Sequence, residues 1–205
     1  IADDDGAPFC GIAQWSGARW KNLDTGLRFN ARVNVLLKEA SGPLYAGGSF
    51  SEAGAVEAAN LAAWNGNEWG TFSTYGNGFA AGPSTFIEFD GDLIAGGIFL
   101  RASGVAMRNP IRWDGTTWSS FHGEANGTIH AFAIHQGHLV AGGAFTSFAG
   151  MPASRIAEWN GSAWQPIGSG LDGTVYDVHS DGTTLYAAGT FLNAGGVAAE
   201  RLARW

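Results

Sequence analysis

The chain has one cysteine, Cys10, so no disulfide can form within its 205 residues and a disulfide-stapled fold is excluded. Charged side chains make up 14% of the sequence, well below the roughly 25% of ordinary globular domains. The net charge of −7 argues against nucleic-acid binding, which needs basic surfaces. No apolar run reaches the roughly 18 residues that a membrane-spanning helix requires, so no membrane span is expected. No sustained apolar stripe of helical period occurs either, and we expect very little helix.

The sequence is instead organised around nine tryptophans. Eight of them form four pairs five residues apart: Trp15 and Trp20, Trp64 and Trp69, Trp113 and Trp118, Trp159 and Trp164. The ninth, Trp205, stands where a fifth pair would begin. The first members, at positions 15, 64, 113, 159 and 205, are 49 or 46 residues apart. A repeat of this length is typical of propeller and solenoid arrays.

Other residues repeat in step with the tryptophans. Each tryptophan that begins a pair, from the second onward, follows a phenylalanine fourteen residues earlier: Phe50, Phe99, Phe145 and Phe191. Each phenylalanine ends an apolar run that contains glycine, such as the run 139–145 with Gly142 and Gly143. Because all length variation lies outside the Phe-to-Trp half, we expect that half to be the rigid part of each unit.

Each unit contains four short apolar runs bounded by turn residues, which predict four β-strands. In the third unit they span 129–135, 138–145, 155–159 and 164–167. Gln136-Gly137 would join the first two strands, and residues 160–163 the last two, as tight hairpins. Equivalent turns between paired tryptophans are Ser16-Gly17, Asn65-Gly66 and Asp114-Gly115. The tryptophans on either side of each turn would then face each other as cross-strand pairs.

Four antiparallel strands in 46–49 residues correspond to one blade of a propeller. We therefore predict an all-β fold, a β-propeller of four-stranded antiparallel blades, in a single domain over residues 1–205. The repeats are expected at about 15–63, 64–112, 113–158 and 159–204. The paired glycines would let aromatic rings of the neighbouring blade approach closely.

Gly47-Gly48, followed by Trp64 and Trp69, resembles a kelch repeat, as does Gly142-Gly143 followed by Trp159 and Trp164. The fuller pattern is similar to repeats of secreted bacterial propellers and of the fungal cortical cell-polarity marker family, grouped with galactose-oxidase-like propellers. The resemblance covers residues 6–205 and implies an extracellular propeller. Two features depart from it: kelch repeats usually carry Tyr at the first aromatic position, and Ala188 replaces the first glycine of the fourth unit.

Residues 12–15 are equivalent to residues 202–205, so the chain begins and stops at the third strand of a unit. The fourth blade should therefore lack its own fourth strand. The chain could close alone, with residues near Trp20 to Leu23 supplying that strand, or several copies could join, or it could be part of a longer propeller. We favour the last two possibilities, because unpaired end strands tend to pair with other strands.

The position of His130 in the first strand is matched by Asn34, Phe86 and Tyr176 in the other units. First strands line the central channel of a propeller, so this set could bind a ligand or simply form a hydrated lining. His130 and His135 should point to opposite faces of one strand, so with His138 they should not form a metal site.

Several other groups are candidate sites, and we interpret most of them as structural. The tryptophans are expected to form core rather than sugar-binding platforms. Asp3, Asp4 and Asp5 are interpreted as a solvated end rather than a calcium site, and Cys10 as a core residue. Arg108, Arg155 and Arg201 precede third strands and could cap carbonyls, pair with Glu57 and Glu200, or hold a glycan or carboxylate. Two glycosylation sequons begin at Asn126 and Asn160.

The sequence presents no recognisable catalytic set and no cofactor motif. Tyr45, Tyr75, Tyr176, Tyr186 and Cys10 do not visibly assemble the copper-radical centre that the galactose-oxidase resemblance would suggest. We predict a non-catalytic extracellular binding, adhesion or scaffolding module with a protein or glycan partner. The alternatives are a structural subunit that self-assembles through open strand ends and a lectin with one pocket per blade.

Overall fold

The computed structural model describes residues 11–27, 31–72, 81–98, 101–102 and 105–205. Within these ranges the chain is all-β, with no helix, and its four antiparallel sheets are the blades of a β-propeller, which confirms the predicted fold class. Phe99, Tyr75, Cys10 and Asp3 to Asp5 lie outside the described residues. By its contacts the chain divides into two compact units, residues 1–83 with 101–106 and residues 84–100 with 107–205. A single domain over residues 1–205 stays a prediction.

The strands follow one another in the order that the repeat predicts. Residues 13–70 contain β1 (Ala13–Trp15), β2 (Trp20–Asn22), β3 (Arg32–Lys38), β4 (Leu44–Ser49), β5 (Glu52–Ala53), β6 (Val56–Glu57), β7 (Leu61–Trp64) and β8 (Trp69–Gly70). The second repeat contains β9 (Thr85–Phe89), β10 (Asp92–Gly96), β11 (Arg101–Ala102), β12 (Val105–Ala106), β13 (Ile111–Trp113) and β14 (Trp118–Ser120). The third contains β15 (Ile129–His135), β16 (His138–Gly143), β17 (Ser147–Phe148), β18 (Met151–Pro152), β19 (Ile156–Trp159) and β20 (Trp164–Pro166). The fourth contains β21 (Val175–Ser180), β22 (Leu185–Gly189), β23 (Asn193–Ala194), β24 (Val197–Ala198) and β25 (Leu202–Arg204).

Three blades have four strands and the fourth has three. Blade 1 has the order β3-β4-β7-β8, blade 2 β9-β10-β13-β14, blade 3 β15-β16-β19-β20 and blade 4 β21-β22-β25. Blade 1 and the separate hairpin β1-β2 belong to the first unit, and blades 2 to 4 belong to the second. The expectation that the fourth blade lacks a fourth strand is thus met within the described part of the chain. Hairpin β1-β2 corresponds to the last two strands of a blade.

The predicted hairpin turns form because their residues tolerate positive φ. Gln136 and Gly137 have φ values of 51° and 82°, which suit a two-residue hairpin. In the turn after Trp159, the Asn160 side-chain oxygen accepts hydrogen bonds from the amides of Ser162 and Ala163. All four tryptophan pairs face each other in register, with ring centroids 5.4–6.1 Å apart.

The paired glycines allow the blades of the second unit to pack closely, but not against tryptophans. A Cβ on Gly142 would lie 2.7 Å from Cγ1 of Val175 and 2.9 Å from Cγ1 of Val178, on the first strand of the next blade. A Cβ on Gly96 would lie 2.9 Å from Ile129 and Phe132 atoms in the same way. The expected aromatic contact is therefore replaced largely by aliphatic side chains of the neighbouring first strand.

A short ribbon between the second and third strands of each repeat was not predicted. Ribbon β17-β18 is one of four such two-stranded sheets, each with strands of two residues. Single bridges tie the segment that follows a fourth strand to the ribbon of the next repeat: Leu27 to Ala53, Ala125 to Phe148, and Leu171 to Ala194. The segments after β2, β14 and β20 therefore continue into the packing of the following blade.

Candidate functional site

Three of the four predicted channel positions lie at β-bulges. The register between first and second strands skips one residue at His130 in blade 3, at Tyr176 in blade 4 and at Asn34 in blade 1. A bulge leaves an extra residue unpaired and turns its side chain away from the regular alternation, and bulges are frequent beside active sites. For the fourth position the prediction is wrong: Phe86 pairs with Ala95, the equivalent of Ala141, which pairs with Phe132, so Phe86 corresponds to Phe132 rather than to His130, and it is buried.

In the second unit, the bulges bring His130 and Tyr176 together on adjacent first strands. Their ring centroids are 5.2 Å apart, with the ring planes tilted by 54°. Tyr176 is 56% exposed and His130 is half-buried. Burial lowers the pKa of His130 from its ordinary value, which keeps the imidazole neutral at pH 7. We call these two residues the aromatic pair. They offer an exposed ring face beside a phenol hydroxyl and a neutral imidazole.

Asn34 belongs to the first unit. Its Nδ2 donates a hydrogen bond to the carbonyl of Pro83 at 3.3 Å, which leaves its side-chain oxygen as an acceptor.

The other two histidines of the predicted cluster serve the framework. Nδ1 of His135 lies 2.9 Å from Oγ of Ser180, which links the ends of β15 and β21. That serine oxygen also accepts the amide of Gly182. Nδ1 of His138 lies 3.4 Å from Glu158, across from it on the sheet. No group of three metal-ligating side chains occurs among the residues that the structure describes.

The arginines before the third strands fulfil different roles. The Arg155 guanidinium donates hydrogen bonds to the carbonyls of Ala144 and Phe145. It therefore caps carbonyls, which is one of the roles predicted for these arginines. One guanidinium nitrogen of Arg108, Nη1, contacts both carboxylate oxygens of Glu124, a partner that the sequence did not predict. Arg201 adopts a φ of 74°, and its backbone joins β25 to the end of β22.

The nine tryptophans separate into three groups by burial: four are buried, Trp64 and Trp113 are half-buried, and three are exposed. Trp69, Trp118, Trp159 and Trp164 are buried as core residues, in line with the core interpretation. Trp15, Trp20 and Trp205 are 52%, 51% and 65% exposed, because the sheets that carry them are incomplete. For these three the core expectation is wrong.

The remaining candidates have structural partners. Tyr45 donates a hydrogen bond to Glu39, and Tyr186 donates one to Asp181. Both atoms of the Asn126 amide are engaged by Thr146 and Ser147, so a glycan there would displace a turn contact. The Asn160 oxygen holds its own turn while the residue is partly exposed.

Sequence reasoning missed an apolar cavity of about 320 Å³ in blade 4. Its lining includes Ile167, Leu171, Leu185, Ala187, Val197 and Trp205. We call it the blade 4 socket. The signal that could have found it is the tryptophan grid itself, because a blade without a fourth strand also lacks the tryptophan that this strand supplies.

No helix in the described ranges is long and apolar enough to cross a membrane. The sheets, bulges and glycine contacts define the chain as a β-propeller protein.

No protein-family model and no curated protein matches the chain. Among solved structures, it is similar to the extracellular domain of a B. thetaiotaomicron protein described as a hybrid two-component system, with a TM-score of 0.53 and 11% identity over 84% of this chain and 20% of that one. It is also similar to a B. thetaiotaomicron extracellular domain described as belonging to a one-component system, with a TM-score of 0.56 and 12% identity over 90% of this chain and 24% of the other. The chain thus spans a fifth to a quarter of these neighbours, and the likeness concerns the fold.

Proposed function

We propose that this chain is a non-catalytic extracellular binding module in which the aromatic pair contacts the ligand. The observation that carries the proposal is the recurrence of a bulge at the same first-strand position in blades 1, 3 and 4. Each bulge interrupts a ladder that would otherwise be regular, and it does so where a propeller presents residues to its channel. In blades 3 and 4 the result is an exposed aromatic side chain beside a neutral histidine.

The chemistry of the aromatic pair favours a small uncharged ligand with one apolar face. The ring of Tyr176 can stack on such a face, while the Tyr176 hydroxyl and the His130 imidazole can each donate and accept a hydrogen bond. A sugar ring combines these properties, so a glycan is the ligand class that we test first. The extracellular location is supported by the two extracellular domains that share the fold.

The non-catalytic part of the proposal is supported by how the candidate groups are used. His135 contacts a serine hydroxyl, as a catalytic histidine would, but it is buried and its serine already accepts a turn amide. The carboxylate of the following Asp181 is engaged by the amides of Thr183 and Thr184.

The test is a glycan array followed by calorimetric titration of the best ligand. Tyr176→Ala should weaken binding by at least about tenfold, equivalent to about 1.4 kcal/mol, because it removes the exposed ring face. Tyr186→Ala is the matched control: it lies in the same blade, with its hydroxyl bound to Asp181, and should leave binding unchanged. No binding across the array, or equal losses in both variants, would contradict the proposed site.

A second candidate function, self-assembly through open strand edges, stays a proposal. In the described structure, β25 of blade 4 has no fourth strand beside it and hairpin β1-β2 has no second strand beside β1. Adhesion and scaffolding are more specific roles for a binding module, and they stay proposals to which we assign no residues.

A further inference from the structure

Five hairpin turns of this chain are built alike. Each begins with a short polar residue followed by a glycine, and the first residues are Ser16, Asn65, Asp114, Asn160 and Asp181. In the four turns that begin with Asn or Asp, the side-chain Oδ1 accepts the backbone amides two and three positions further on, at 2.7–3.0 Å. The glycines have φ values of 92–105°. Asparagine and aspartate therefore occupy one structural position in different turns.

The turn of blade 3 directs three donors at one oxygen. The amides of Ser162 and Ala163 lie 3.0 Å from Oδ1 of Asn160, and the Ser162 hydroxyl lies 2.9 Å from it. Donors about 2.7–3.1 Å from an oxygen that gains negative charge stabilise that charge, as in an oxyanion hole. The arrangement therefore polarises the side-chain carbonyl of Asn160 and favours nucleophilic attack at its Cγ.

The next residue supplies the nucleophile. The backbone nitrogen of Gly161 can close a succinimide ring by bonding to Cγ of Asn160. Gly161 is exposed, with no atom within 4 Å of the point where a Cβ would stand. Its amide donates to no acceptor among the described residues. Because glycine adopts a φ of 93° without steric cost, the turn itself favours this unshielded nitrogen.

We propose that Asn160 is a self-deamidation site, at which the turn of blade 3 converts a neutral amide into a carboxylate. The Gly161 nitrogen gives its proton to hydroxide and bonds to Cγ, while the carbonyl electron pair moves to Oδ1. When that pair returns, the Cγ–Nδ2 bond breaks, and Nδ2 leaves as ammonia after taking a proton from water. A water molecule then opens the succinimide. In total one water is consumed and one ammonia is released, and no oxidant or reductant takes part.

Blade 2 shows that this fold accommodates the product. Oδ1 of Asp114 accepts the amides of Thr116 and Thr117 at 2.8 Å and the Thr116 hydroxyl at 2.7 Å, the same set of donors that Asn160 has. These hydrogen bonds, led by that of the Thr116 hydroxyl, hold the pKa of Asp114 below its usual range. A carboxylate at position 160 is therefore ionised at neutral pH and held more firmly than the amide, because charge-assisted hydrogen bonds are stronger. Each conversion adds one negative charge to the net charge of −7.

The same donors also select between two products. Water can open the succinimide at Cγ, which gives aspartate, or at the backbone carbonyl, which gives isoaspartate and lengthens the main chain. The donors on Oδ1 polarise the carbonyl at Cγ. The folded turn should therefore yield a larger share of aspartate than the unfolded chain does. This site is separate from the aromatic pair and from the strand edges, so its fate does not depend on the proposed function.

Two other Asn-Gly pairs of the described structure serve as internal comparisons, while Asn77-Gly78 lies outside the described residues. Oδ1 of Asn65 accepts the amides of Asn67 and Glu68 at 2.9 and 3.0 Å. Position 67 carries an asparagine where blade 3 has Ser162, so this turn has no hydroxyl at the equivalent place. We expect Asn65 to react more slowly than Asn160.

The surroundings of Asn126 oppose the reaction. Its Nδ2 donates a hydrogen bond to Oγ1 of Thr146 at 2.8 Å, which holds the leaving nitrogen. A Cβ on Gly127 would stand 2.9 Å from the Ala144 carbonyl oxygen, so this glycine packs against backbone and its nitrogen is not free to swing toward Cγ. Oδ1 of Asn126 also accepts two amides, those of Thr146 and Ser147, so hydrogen bonds at the oxygen alone do not make a reactive site.

The first test compares the three sites in one sample. Peptide mapping by mass spectrometry follows the exchange of NH2 for OH over time at mildly alkaline pH, in the folded protein and in urea. In the folded protein Asn160 should react about fivefold faster than Asn65, because a hydrogen bond to a charged oxygen is stronger than one to a neutral oxygen. Asn126 should be the slowest. In urea the three rates should converge, and Asn160 should react more slowly than it does in the fold.

The second test moves the hydroxyl between the two reactive turns. Ser162→Ala should slow the reaction at Asn160 by about fivefold, and Asn67→Ser should speed the reaction at Asn65 by a similar factor. Ser162→Thr is the matched control: it keeps the hydroxyl, as Thr116 does in blade 2, and should leave the rate unchanged. Circular dichroism checks that the variants fold.

The third test concerns the product. Asn160→Asp should melt at or above the temperature of the wild-type protein, and a lower melting temperature would overturn the fit of the carboxylate. A slower reaction at Asn160 in the fold than in urea would show that the turn protects the amide, which overturns the proposal. An unchanged rate in Ser162→Ala, or the same share of isoaspartate with and without urea, would overturn the role of the donors.

Discussion

Two buried tryptophans at equivalent positions use their indole N–H groups differently. Trp69 donates to the Leu23 carbonyl, whereas Nε1 of Trp164 has no hydrogen-bond partner among the described residues. A buried donor without an acceptor costs about 1–3 kcal/mol. Trp164 is nevertheless 1% exposed and packs with its ring centroid 4.1 Å from that of Phe148, so apolar packing outweighs the lost hydrogen bond.

Replacing each tryptophan by phenylalanine should separate packing from hydrogen bonding. Both variants lose ring volume, but Trp69→Phe also removes a hydrogen bond to the Leu23 carbonyl, which keeps the Gly26 amide as its donor, whereas Trp164→Phe removes an unpaired N–H. We expect Trp69→Phe to lower the free energy of unfolding by about 1–2 kcal/mol more than Trp164→Phe does. Urea titration of the three proteins measures the difference. Trp15→Phe, at an exposed site, should be near neutral; equal losses at positions 69 and 164 would refute this account.

At the scale of elements, the first glycine of the pair sets how closely neighbouring blades of the second unit approach each other. Gly142 faces Val175 and Val178 of β21 in a fully packed contact between blades 3 and 4. The equivalent position in blade 4 is Ala188, which is only half-buried, so an extra methyl group is accommodated there. The departure from the Gly-Gly pattern therefore falls at a position that is less buried than Gly142.

Gly142→Ala should force β21 away from β16. The added Cβ would lie 2.7 Å from a valine methyl, and overpacking of this kind costs about 1–3 kcal/mol. Gly70→Ala is the control, because a Cβ there meets nothing closer than the Ala63 oxygen at 3.9 Å and φ is not positive. We expect it to be neutral or to stabilise by up to about 1 kcal/mol through the unfolded state. Thermal unfolding of both variants decides; a neutral Gly142→Ala would show that the blades do not pack as described.

The sequence was sufficient for the strands and insufficient for their irregularities. In the third repeat the predicted strands 129–135 and 138–145 are observed as Ile129–His135 and His138–Gly143, because tight turns and apolar runs act locally. The bulge at His130 is a one-residue shift that depends on packing between strands, so nothing local announces it. Alignment of the repeats still placed His130 and Tyr176 at one position, although not their contact. The exposure of Trp20 was missed because a fixed spacing does not tell whether the blade around it is complete.

At the scale of the whole molecule, charged side chains are few, and the aspartates in turns are ionised at neutral pH. Hydrogen bonds, led by the Thr116 hydroxyl for Asp114 and by backbone amides for Asp172 and Asp181, hold the pKa of these carboxyls below the usual range. A lowered pKa contributes stability that is present above the ordinary carboxyl value of about 4 and is lost only as pH falls through the lower folded value. His130, also lowered, contributes above about 6.5, and its share declines as pH falls below that.

These two pH windows predict how the chain responds to mild acid. The isoelectric point is about 5.1, so the net charge of −7 at pH 7 vanishes near pH 5, where proteins associate most readily. At that pH the three turn aspartates are still ionised, while the contribution of His130 has begun to decline. We therefore expect a solubility minimum near pH 5 in which the protein precipitates folded and redissolves in native form at pH 7. Turbidity, together with circular dichroism of the redissolved protein, measures this. Irreversible loss of the β-sheet spectrum near pH 5 would show that the fold is lost before the net charge reaches zero.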